Sequence, residues 1–256
     1  MRLISVVTIV RNNSAGLNKT RASIAEQSFR DLEWIVVDGA STDGTAELAA
    51  SLSENDCVAI SEPDDGIFDA MNKGLERATG KFVLFLNAGD ILANSGVLAD
   101  VSRELTEDID FLYGDSLEAF GGGRLIYKAA KGHERVNYGM FACHQTMYFR
   151  RSVIGAQRYD PRFRIAGDYC FTAEFLQKHP RIRRVDAALC VFDLTGASNI
   201  NRGRGRQENW RVQKEVLGLS LLRRCAFRTA YLLSSLLAVR MPRLYAALRF
   251  RSPDGN

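Results

Sequence analysis

Polar side chains that follow apolar runs are the residues of this sequence best placed to do chemistry. Asp38 follows the run 34–37, and Asn87 and Asp90 follow the run 82–86. Because buried parallel strands direct their carboxyl ends to one edge of a sheet, Asp38 and Asp90 are predicted to meet in one crevice. A carboxylate at the end of an apolar strand suits a hard divalent cation, so Asp90 is the candidate metal ligand. For Asp38 the alternative is a turn residue, since Asp-Gly is common turn chemistry.

Other site chemistries are disfavoured by spacing. Gly74, Gly80 and Lys81 resemble a P-loop, but five residues separate the glycines instead of four, and Phe82 stands where Ser or Thr is required. No G-x-G-x-x-G follows the first strand, which argues against a dinucleotide oxidoreductase. No G-x-S-x-G occurs either, which argues against an α/β-hydrolase.

The elements that must position these residues alternate along the first half of the chain. Continuous apolar runs predict strands, and apolar residues at helical spacing predict helices between them. The strands are predicted at 3–10, 34–37, 58–60 and 82–86, and the helices at 17–28, 43–52 and 67–78. This order predicts an α/β protein with a parallel sheet covered by helices.

The second half is less regular. Its predicted elements are strands at 111–114, 146–149, 182–185 and 189–192, and a helix at 169–178. The glycines at 121–123 predict a loop or hairpin tip.

The cysteines and the N-terminus bear on where the protein works. The five cysteines are widely spaced and contain no C-x-x-C, so we expect free thiols in a reducing cytoplasm. The apolar run after Met1-Arg2 ends at Arg11 and is rich in β-branched residues, which favours a buried strand over a signal peptide. No segment approaches the roughly 20 apolar residues of a membrane-spanning helix.

Four motifs occur in order along the chain, at residues 3–8, 34–45, 62–74 and 85–90. Together they resemble the inverting family 2 glycosyltransferases of the GT-A fold, and within them the branch that builds bacterial surface polysaccharides of the colanic-acid type. The resemblance covers roughly the first 200 residues. It implies a single Rossmann-like α/β domain of the nucleotide-diphospho-sugar transferase type, with a mixed, largely parallel sheet.

The resemblance assigns residues to the donor side of the site. Asp90 matches the metal-binding end of the family's DXD-type motif, which holds Mg²⁺ or Mn²⁺ against the diphosphate. The chain departs from that motif because Asn87 replaces its first Asp and Gly89 occupies its third position, so we expect metal binding to rest mainly on Asp90. Nucleotide contacts are implied for Thr8, Arg11, Asp38, Asp65, Asn72, Lys73 and Asn87.

Two further motifs imply the acceptor and diphosphate side. His144-Gln145 resembles the acceptor-side His-Gln of the family, and Arg164 opens the segment that carries the catalytic base, Asp168. Each has an alternative reading. His144 is otherwise an ordinary buried histidine, and Asp168 is otherwise the cap of a helix that begins at Tyr169.

The implied reaction is a single displacement with inversion. A sugar hydroxyl is a poor nucleophile, so a carboxylate must take its proton, while the metal stabilises the departing nucleoside diphosphate. The expected donor is a nucleotide-sugar, a UDP-sugar first among them, and the expected acceptor is a hydroxyl of a lipid-linked glycan or polysaccharide. The alternatives are a sugar-phosphate nucleotidyltransferase, whose glycine-rich basic loop is missing here, and an inactive scaffold that binds nucleotide or membrane.

The C-terminal segment differs in charge from the rest. Residues 201–256 carry 12 Lys and Arg against 3 Asp and Glu, a net charge of +9, whereas the first 200 residues carry −5. We therefore predict a catalytic domain at 1–205 and a basic amphipathic helical tail at 206–256. One face of the tail is predicted to hold Leu219, Leu222, Ala226, Leu233 and Leu237, opposite Arg224, Arg228 and Ser235.

An amphipathic helix with arginines on its polar face can lie on an anionic membrane surface. We therefore expect a protein peripheral to the inner face of the cytoplasmic membrane. The alternatives are packing of the helix on the catalytic domain or contact with a second copy, and the oligomeric state is left open. Nucleic acid is not an expected partner, because aromatic residues that could stack on bases are few in this segment.

Overall fold

The structure, a computed structural model, describes residues 1–52, 57–120, 124–193 and 202–241. These residues form one mixed sheet of nine strands. In chain order the strands are β1 (Ile4–Val10), β2 (Leu32–Asp38), β3 (Cys57–Ser61), β4 (Phe82–Phe85), β5 (Ile91–Leu92), β6 (Phe111–Phe120), β7 (Arg124–Lys128), β8 (Met147–Arg150) and β9 (Ile182–Asp193). They lie side by side in the order β3-β2-β1-β4-β8-β6-β9-β5, and β7 pairs with β6.

The first four strands make up the parallel half of the sheet. β1 pairs with β2 and with β4, and β2 pairs with β3, all in parallel. Their connections contain α1 (Ser14–Ala25), α2 (Thr45–Ser51) and α3 (Ile67–Arg77). β1 is buried along its whole length, and α3 lies so close to it that a Cβ at Gly74 would collide with Val7. The predicted alternation of strands and helices is confirmed in this half.

The second half extends the sheet with antiparallel pairs. β8 pairs antiparallel with β4 and β6, and β9 runs parallel to β6 and antiparallel to β5. Helices α4 (Val97–Glu104), α5 (Arg151–Ile154) and α6 (Gly167–Leu176) belong to this half, with short 3₁₀ turns at His133–Asn137 and His144–Thr146. The helix predicted at 169–178 corresponds to α6.

Two features of this half differ from the sequence-based expectation. The strands predicted at 182–185 and 189–192 form one strand, β9, whose pairing with β6 shifts register beside Asp115. A bulge therefore interrupts the apolar pattern without ending the strand. β7 was not predicted, because all of its residues are exposed and it shows no buried face. The glycine loop predicted at 121–123 lies outside the described residues.

Two apolar clusters fill the space above and below the sheet. Alternate residues of β1 enter them, Val7 on one side and Val6 on the other. The cluster that holds Val7 is rich in aromatic rings, and the rings of Tyr159 and Phe171 stack in it with centroids 4.2 Å apart. Since Phe171 belongs to α6, this cluster fixes α6 against the sheet.

Helix α7 (Arg202–Glu215) crosses the boundary that was predicted between residues 205 and 206. Its Val212 is fully buried in the aromatic cluster, and Glu208 and Gln213 are only 4% and 6% exposed. α7 therefore packs on the domain that contains the sheet. The buried face of α7 is short, and it could not be recognised in the sequence because arginines are dense between residues 202 and 211.

Helix α8 (Leu221–Arg240) turns part of its basic side inward. Arg224 is 7% exposed, and its guanidinium lies 4.5 Å from the centre of the Trp210 ring of α7. Leu221 and Leu222 instead face outward, 60% and 83% exposed. The side chains of three other residues of the predicted amphipathic pattern lie outside those described: Leu233, Ser235 and Leu237. None of the helices, as far as the structure describes them, has the length and apolar content needed to cross a bilayer.

Candidate active site

A cavity of about 750 Å³ opens at the carboxyl ends of β1 and β4. Its walls also include the N-terminal part of α3, the segment 140–145 and the start of α6. This is the edge at which parallel sheets bind ligands. Seven of the residues that the sequence singled out line it: Arg11, Asn87, Asp90, His144, Gln145, Arg164 and Asp168.

Asp90 is fixed in the wall by contacts from two sides. Its carboxylate Oδ2 accepts a 2.8 Å hydrogen bond from Nε2 of Gln145, and its backbone carbonyl accepts a 2.7 Å bond from Oγ1 of Thr20 on α1. The turn that carries it passes through Gly89, whose φ of 105° suits glycine. Asp90 is 4% exposed, so its carboxylate lies at the wall of the cavity with its orientation set by neighbouring residues.

The residues around Asp90 fit a hard divalent cation that takes some of its ligands from the protein and the rest from a substrate. Oδ1 of Asn87 is buried and has no hydrogen-bond partner, and Asn87 lines the same cavity as Asp90. Carboxylate and amide oxygens are the donors that Mg²⁺ and Mn²⁺ prefer. No group of three or more His, Cys, Asp or Glu side chains that could hold a metal occurs among the described residues. A cation here would therefore complete its ligand set with substrate oxygens and water.

Asp168 stands in the first turn of α6, at the cavity wall. Its Oδ1 accepts a 2.7 Å hydrogen bond from the N–H of Tyr169. Burial raises the pKa of Asp168 to about 6, and the nearby charge of Glu208 acts in the same direction. The helix begins one residue before Asp168, so this carboxylate is not the N-cap, yet it still satisfies a free N–H of the first turn. It combines a local structural contact with access to the cavity.

His144 is a neutral histidine held by one specific partner. It is 5% exposed, and burial lowers its pKa to about 4. Its Nε2 and the hydroxyl of Tyr159 lie 3.0 Å apart in a hydrogen bond. The ring is therefore a satisfied buried histidine that also belongs to the cavity lining, and its acceptor-side role stays a prediction.

Asn72 ties α3 to the chain segment before α6. Its Oδ1 accepts a 2.7 Å bond from the N–H of Tyr159, and its Nδ2 donates a 2.9 Å bond to the carbonyl of the same residue. This reciprocal pair engages both ends of the amide and positions Tyr159, and Asn72 does not line the cavity.

Four other residues from the predicted nucleotide site do not line the cavity either. Thr8 is fully buried, and its Oγ1 accepts a 2.9 Å bond from Nε1 of Trp34. The buried carboxylate of Asp38 accepts bonds from the N–H of Ser41 at 3.0 Å and the hydroxyl of Ser61 at 2.6 Å.

The other two are Lys73, on α3, and Asp65, in the segment between β3 and α3. The Nζ of Lys73 donates a 2.5 Å bond to the carbonyl of Pro63 and forms ion pairs of 3.2 Å with Glu62 and 3.4 Å with Asp69. The N–H of Asp65 donates a 3.1 Å bond to Asp69, and the Asp65 side chain does not line the cavity. These contacts shape the loops of the site from outside it.

Asp64, which the sequence analysis did not single out, lines the cavity in place of its neighbour Asp65. Its Oδ1 accepts a 2.8 Å bond from the N–H of Gly66, whose φ is 111°. A Cβ at Gly39 would touch both the Asp64 carboxylate and Cδ of Arg11, so these groups stand together. The signal in the sequence is the Asp-x-Gly turn, in which the aspartate two residues before the glycine caps the turn.

Lys128 and Glu118 also line the cavity and were not predicted. They form an ion pair between diagonal positions of β6 and β7. No local pattern in the sequence indicates them, because β7 carries no buried face and the pair joins two strands.

Comparison with known proteins identifies the family. The family model for glycosyl transferase family 2 matches residues 5–178. A PGL/p-HBAD biosynthesis glycosyltransferase of Mycobacterium bovis (strain BCG / Pasteur 1173P2) is 33% identical over 175 residues, which cover 66% of this chain and 68% of that protein.

Solved structures share the fold. S. aureus TarS 1-349, in a complex with UDP-GlcNAc, superposes with a TM-score of 0.71 at 19% identity, over 98% of this chain and 76% of that one. The mannosyltransferase PcManGT of Pyrobaculum calidifontis, in a complex with GDP-Man and Mn²⁺, superposes with a TM-score of 0.65 at 17% identity, over 97% of this chain and 79% of that one. The chain therefore belongs to glycosyl transferase family 2, which confirms the prediction of a nucleotide-sugar-dependent glycosyltransferase with the GT-A fold.

Proposed function

We propose that this glycosyltransferase moves a sugar, with inversion, from a UDP-sugar to a hydroxyl of a lipid-linked glycan or polysaccharide in bacterial surface polysaccharide synthesis. One observation carries the proposal. The Asp168 carboxylate lines the same cavity as the oxygen donors of Asn87 and Asp90. A base and a place for a diphosphate-bound cation are the two elements that a single displacement requires.

Asp168 serves as the base in this proposal. Its pKa of about 6 leaves it ionised at neutral pH while making it a better proton acceptor than an ordinary aspartate. The other carboxylates that line the cavity have local tasks: Glu118 pairs with Lys128, Asp64 caps the turn at Gly66, and Asp90 is held by Gln145. Attack by the deprotonated hydroxyl on the far side of the anomeric carbon gives inversion.

The donor diphosphate belongs beside Asp90, Asn87 and the guanidinium groups of Arg11 and Arg164. Bound Mg²⁺ or Mn²⁺, held by Asp90 and Asn87, would neutralise charge that develops on the departing diphosphate. TarS, in a complex with UDP-GlcNAc, and PcManGT, in a complex with GDP-Man and Mn²⁺, share this fold, which supports a nucleotide-sugar donor and a divalent cation as its ligands.

The nucleoside lies near Arg11 and Asp64 in this proposal, since these side chains border the cavity beyond β1. The remaining residues implied by the family resemblance act from outside the cavity lining, where their contacts hold the neighbouring strands and loops in place: Thr8, Asp38, Asp65, Asn72 and Lys73.

Membrane association at the cytoplasmic face is part of the same proposal. The outward side of α8 presents Leu221 and Leu222 next to the exposed Arg223 and Arg228. Apolar side chains flanked by cations favour the surface of an anionic bilayer. Such a location would bring the cavity to a lipid-linked acceptor.

A donor panel tests the reaction. The full chain is incubated with UDP- and GDP-sugars, with Mg²⁺, Mn²⁺ or EDTA, and the released products are separated. Release of nucleoside diphosphate that depends on the cation supports the proposal. Release of pyrophosphate would assign a nucleotidyltransferase instead, and the absence of turnover for every donor would leave the inactive scaffold.

A further inference from the structure

One buried carboxylate of α7, Glu208, contacts the chain immediately before the base. It is 4% exposed. Its Oε2 accepts hydrogen bonds from the N–H groups of Arg164 at 3.0 Å, Ile165 at 2.7 Å and Ala166 at 2.9 Å. Its Oε1 accepts a 2.8 Å bond from Nε of Arg204, one turn earlier on α7. A single side chain thus satisfies three consecutive backbone donors.

These contacts keep Glu208 ionised although it is buried. Burial raises the pKa of Glu208, but the hydrogen bonds from Ala166, Arg204, Ile165 and Arg164 outweigh it and leave the pKa lowered. A buried charge is tolerated when it is fully hydrogen-bonded in this way. Loss of the carboxylate would leave three partly buried N–H groups without their acceptor.

Further contacts hold α7 where Glu208 can act. Val212 is fully buried in the aromatic cluster, and Nε2 of Gln213 donates a 3.1 Å bond to the carbonyl of Asn137. The guanidinium of Arg211 lies 4.9 Å from the centre of the Phe163 ring. Phe163 directly precedes the segment that Glu208 binds, so α7 contacts this part of the chain at two places.

The segment that Glu208 binds leads directly into the base. Residues 164–168, here called the base segment, run from Arg164 through Ala166 to Asp168. Gly167, between them, lies against the ring of Phe68, and a Cβ there would collide with it. The base segment is therefore clamped between α3 and α7, and a shift at Ala166 is transmitted to Asp168.

We propose that Glu208 is a positioning residue of the transfer reaction, which holds the base segment so that the Asp168 carboxylate faces the acceptor hydroxyl. The proposal rests on the assignment of Asp168 as the base. Misplacement of a reacting group by a fraction of an ångström lowers the rate without preventing the ligands from binding. Glu208 thus contributes to the site from α7, although the sequence analysis assigned Glu208 to the C-terminal tail.

Glu208 also acts on Asp168 through its charge. The titratable groups that act on the Asp168 carboxylate are Glu208, from α7, and Tyr159, from the segment before α6. Burial raises the pKa of Tyr159, so this hydroxyl stays neutral. The negative charge of Glu208 opposes ionisation of Asp168, so its removal lowers the pKa of Asp168.

The test compares Glu208→Gln and Glu208→Ala with Glu215→Gln. Glu215 lies on the same helix and forms exposed ion pairs with Arg211 at 3.2 Å and Arg162 at 3.9 Å, without contacting the base segment. For each variant of the full chain we would measure amide hydrogen exchange, the midpoint of thermal unfolding, the affinity for UDP with Mn²⁺, and kcat against pH.

We expect the amides of residues 164–166 to exchange faster in Glu208→Ala, and kcat to fall about tenfold or more while UDP affinity changes less than about twofold. Glu208→Gln, which keeps an acceptor oxygen, should recover part of kcat, and the acid limb of its pH profile should move to lower pH. Glu215→Gln should match the wild type in every measurement.

Two results would overturn the inference. One is unchanged exchange at 164–166 in Glu208→Ala. The other is a loss of kcat in Glu208→Gln that only follows a lowered unfolding midpoint, with the acid limb unmoved. Because the exchange measurement needs no substrate, it remains informative even if no nucleotide-sugar is turned over. Failure of the proposed reaction is thereby distinguished from failure of the positioning role.

Discussion

The side-chain amide of Gln145 and the carboxylate of Asp90 are joined by a 2.8 Å hydrogen bond within the cavity wall. Oε1 of the same amide accepts a 2.9 Å bond from Sγ of Cys143, which fixes which end of the amide faces Asp90. Gln145 is 6% exposed, so bulk water does not compete for its hydrogen bond to Asp90. One oxygen of Asp90 is therefore used by the protein, and the amide sets the direction of the carboxylate.

The first prediction concerns this pair. Replacing Gln145 by Leu removes the bond and lets the Asp90 carboxylate rotate, so the cation concentration needed for half-maximal activity should rise about 10- to 100-fold. The measurement is activity against Mn²⁺ concentration at saturating donor. Gln177→Leu is the control, because Gln177 is exposed on the surface away from the cavity. An unchanged Mn²⁺ dependence in Gln145→Leu would remove Gln145 from the metal site.

The second prediction concerns the base. Asp168→Asn keeps the acceptor for the Tyr169 N–H but cannot take a proton, so kcat should fall about 10²- to 10⁴-fold. UDP affinity should stay near that of the wild type, and wild-type kcat/KM should decline as pH falls through about 6. Asp160→Asn is the control, because Asp160 pairs with Arg162 outside the cavity. Activity of Asp168→Asn near the wild-type level would refute the assignment.

The third prediction links the same group to stability. The pKa of Asp168 is about 6 in the folded protein and near the ordinary value of about 4 when unfolded, so the folded state holds this proton more tightly. Its contribution to stability is therefore full below pH 4 and is lost as pH rises through 6. Asp168→Asn should unfold at a higher temperature than the wild type at pH 8, and the gap should narrow as pH falls to 4. Calorimetry across this range checks it, and a gap that widens at low pH would contradict it.

The fourth prediction separates a structural from a ligand-binding role in α3. Asn72→Leu leaves the N–H and the carbonyl of Tyr159 unpaired, which should lower the free energy of unfolding by about 1–3 kcal/mol. Lys73→Gln removes two ion pairs and the hydrogen bond to the carbonyl of Pro63, all near the surface, and should cost less than about 1 kcal/mol. Urea unfolding of both variants makes the comparison. Equal destabilisation, with a selective loss of UDP affinity in Asn72→Leu, would return Asn72 to the nucleotide site.

The parallel half of the fold could be predicted from the sequence because three of its four strands, β1, β2 and β4, are buried on both faces. Such strands leave continuous apolar runs, and the run that became β1 shows no exposed position. β7 shows the opposite case. Its Leu125 and Tyr127 are half exposed, so neither an alternating nor a buried apolar pattern in the sequence indicates this strand. Its place in the sheet is set by pairing with β6, which local sequence does not encode.

Site residues could be predicted from the sequence where they lie directly after a buried strand. Asn87 and Asp90 illustrate this, since both follow the run that contains β4. Asp64 and Asp65 are chemically alike, and only the turn at Gly66 decides which of them faces the cavity. The role of Glu208 could not be predicted from the sequence for another reason. Its partners lie 42 to 44 residues earlier in the chain, and contacts at that separation depend on how α7 packs.

The fifth prediction divides the C-terminal segment by function. A chain that ends at residue 219 keeps α7 and Glu208 but lacks α8, whereas a chain that ends at residue 201 lacks both. The first should keep kcat toward a soluble acceptor and lose sedimentation with phosphatidylglycerol vesicles. The second should lose kcat as well, because the base segment loses its acceptor at Glu208. Phosphatidylcholine vesicles are the control for charge.

The full chain in this comparison should release from phosphatidylglycerol vesicles as salt is raised, since screening weakens the attraction between arginines and anionic lipid. Replacing Leu221 and Leu222 by Ser should weaken sedimentation at every salt concentration, because these exposed side chains supply the apolar contact. Equal sedimentation of the full chain and of the chain ending at 219 would exclude α8 as the membrane contact. It would leave the exposed leucines as a surface for a second copy, which light scattering of the two chains would detect.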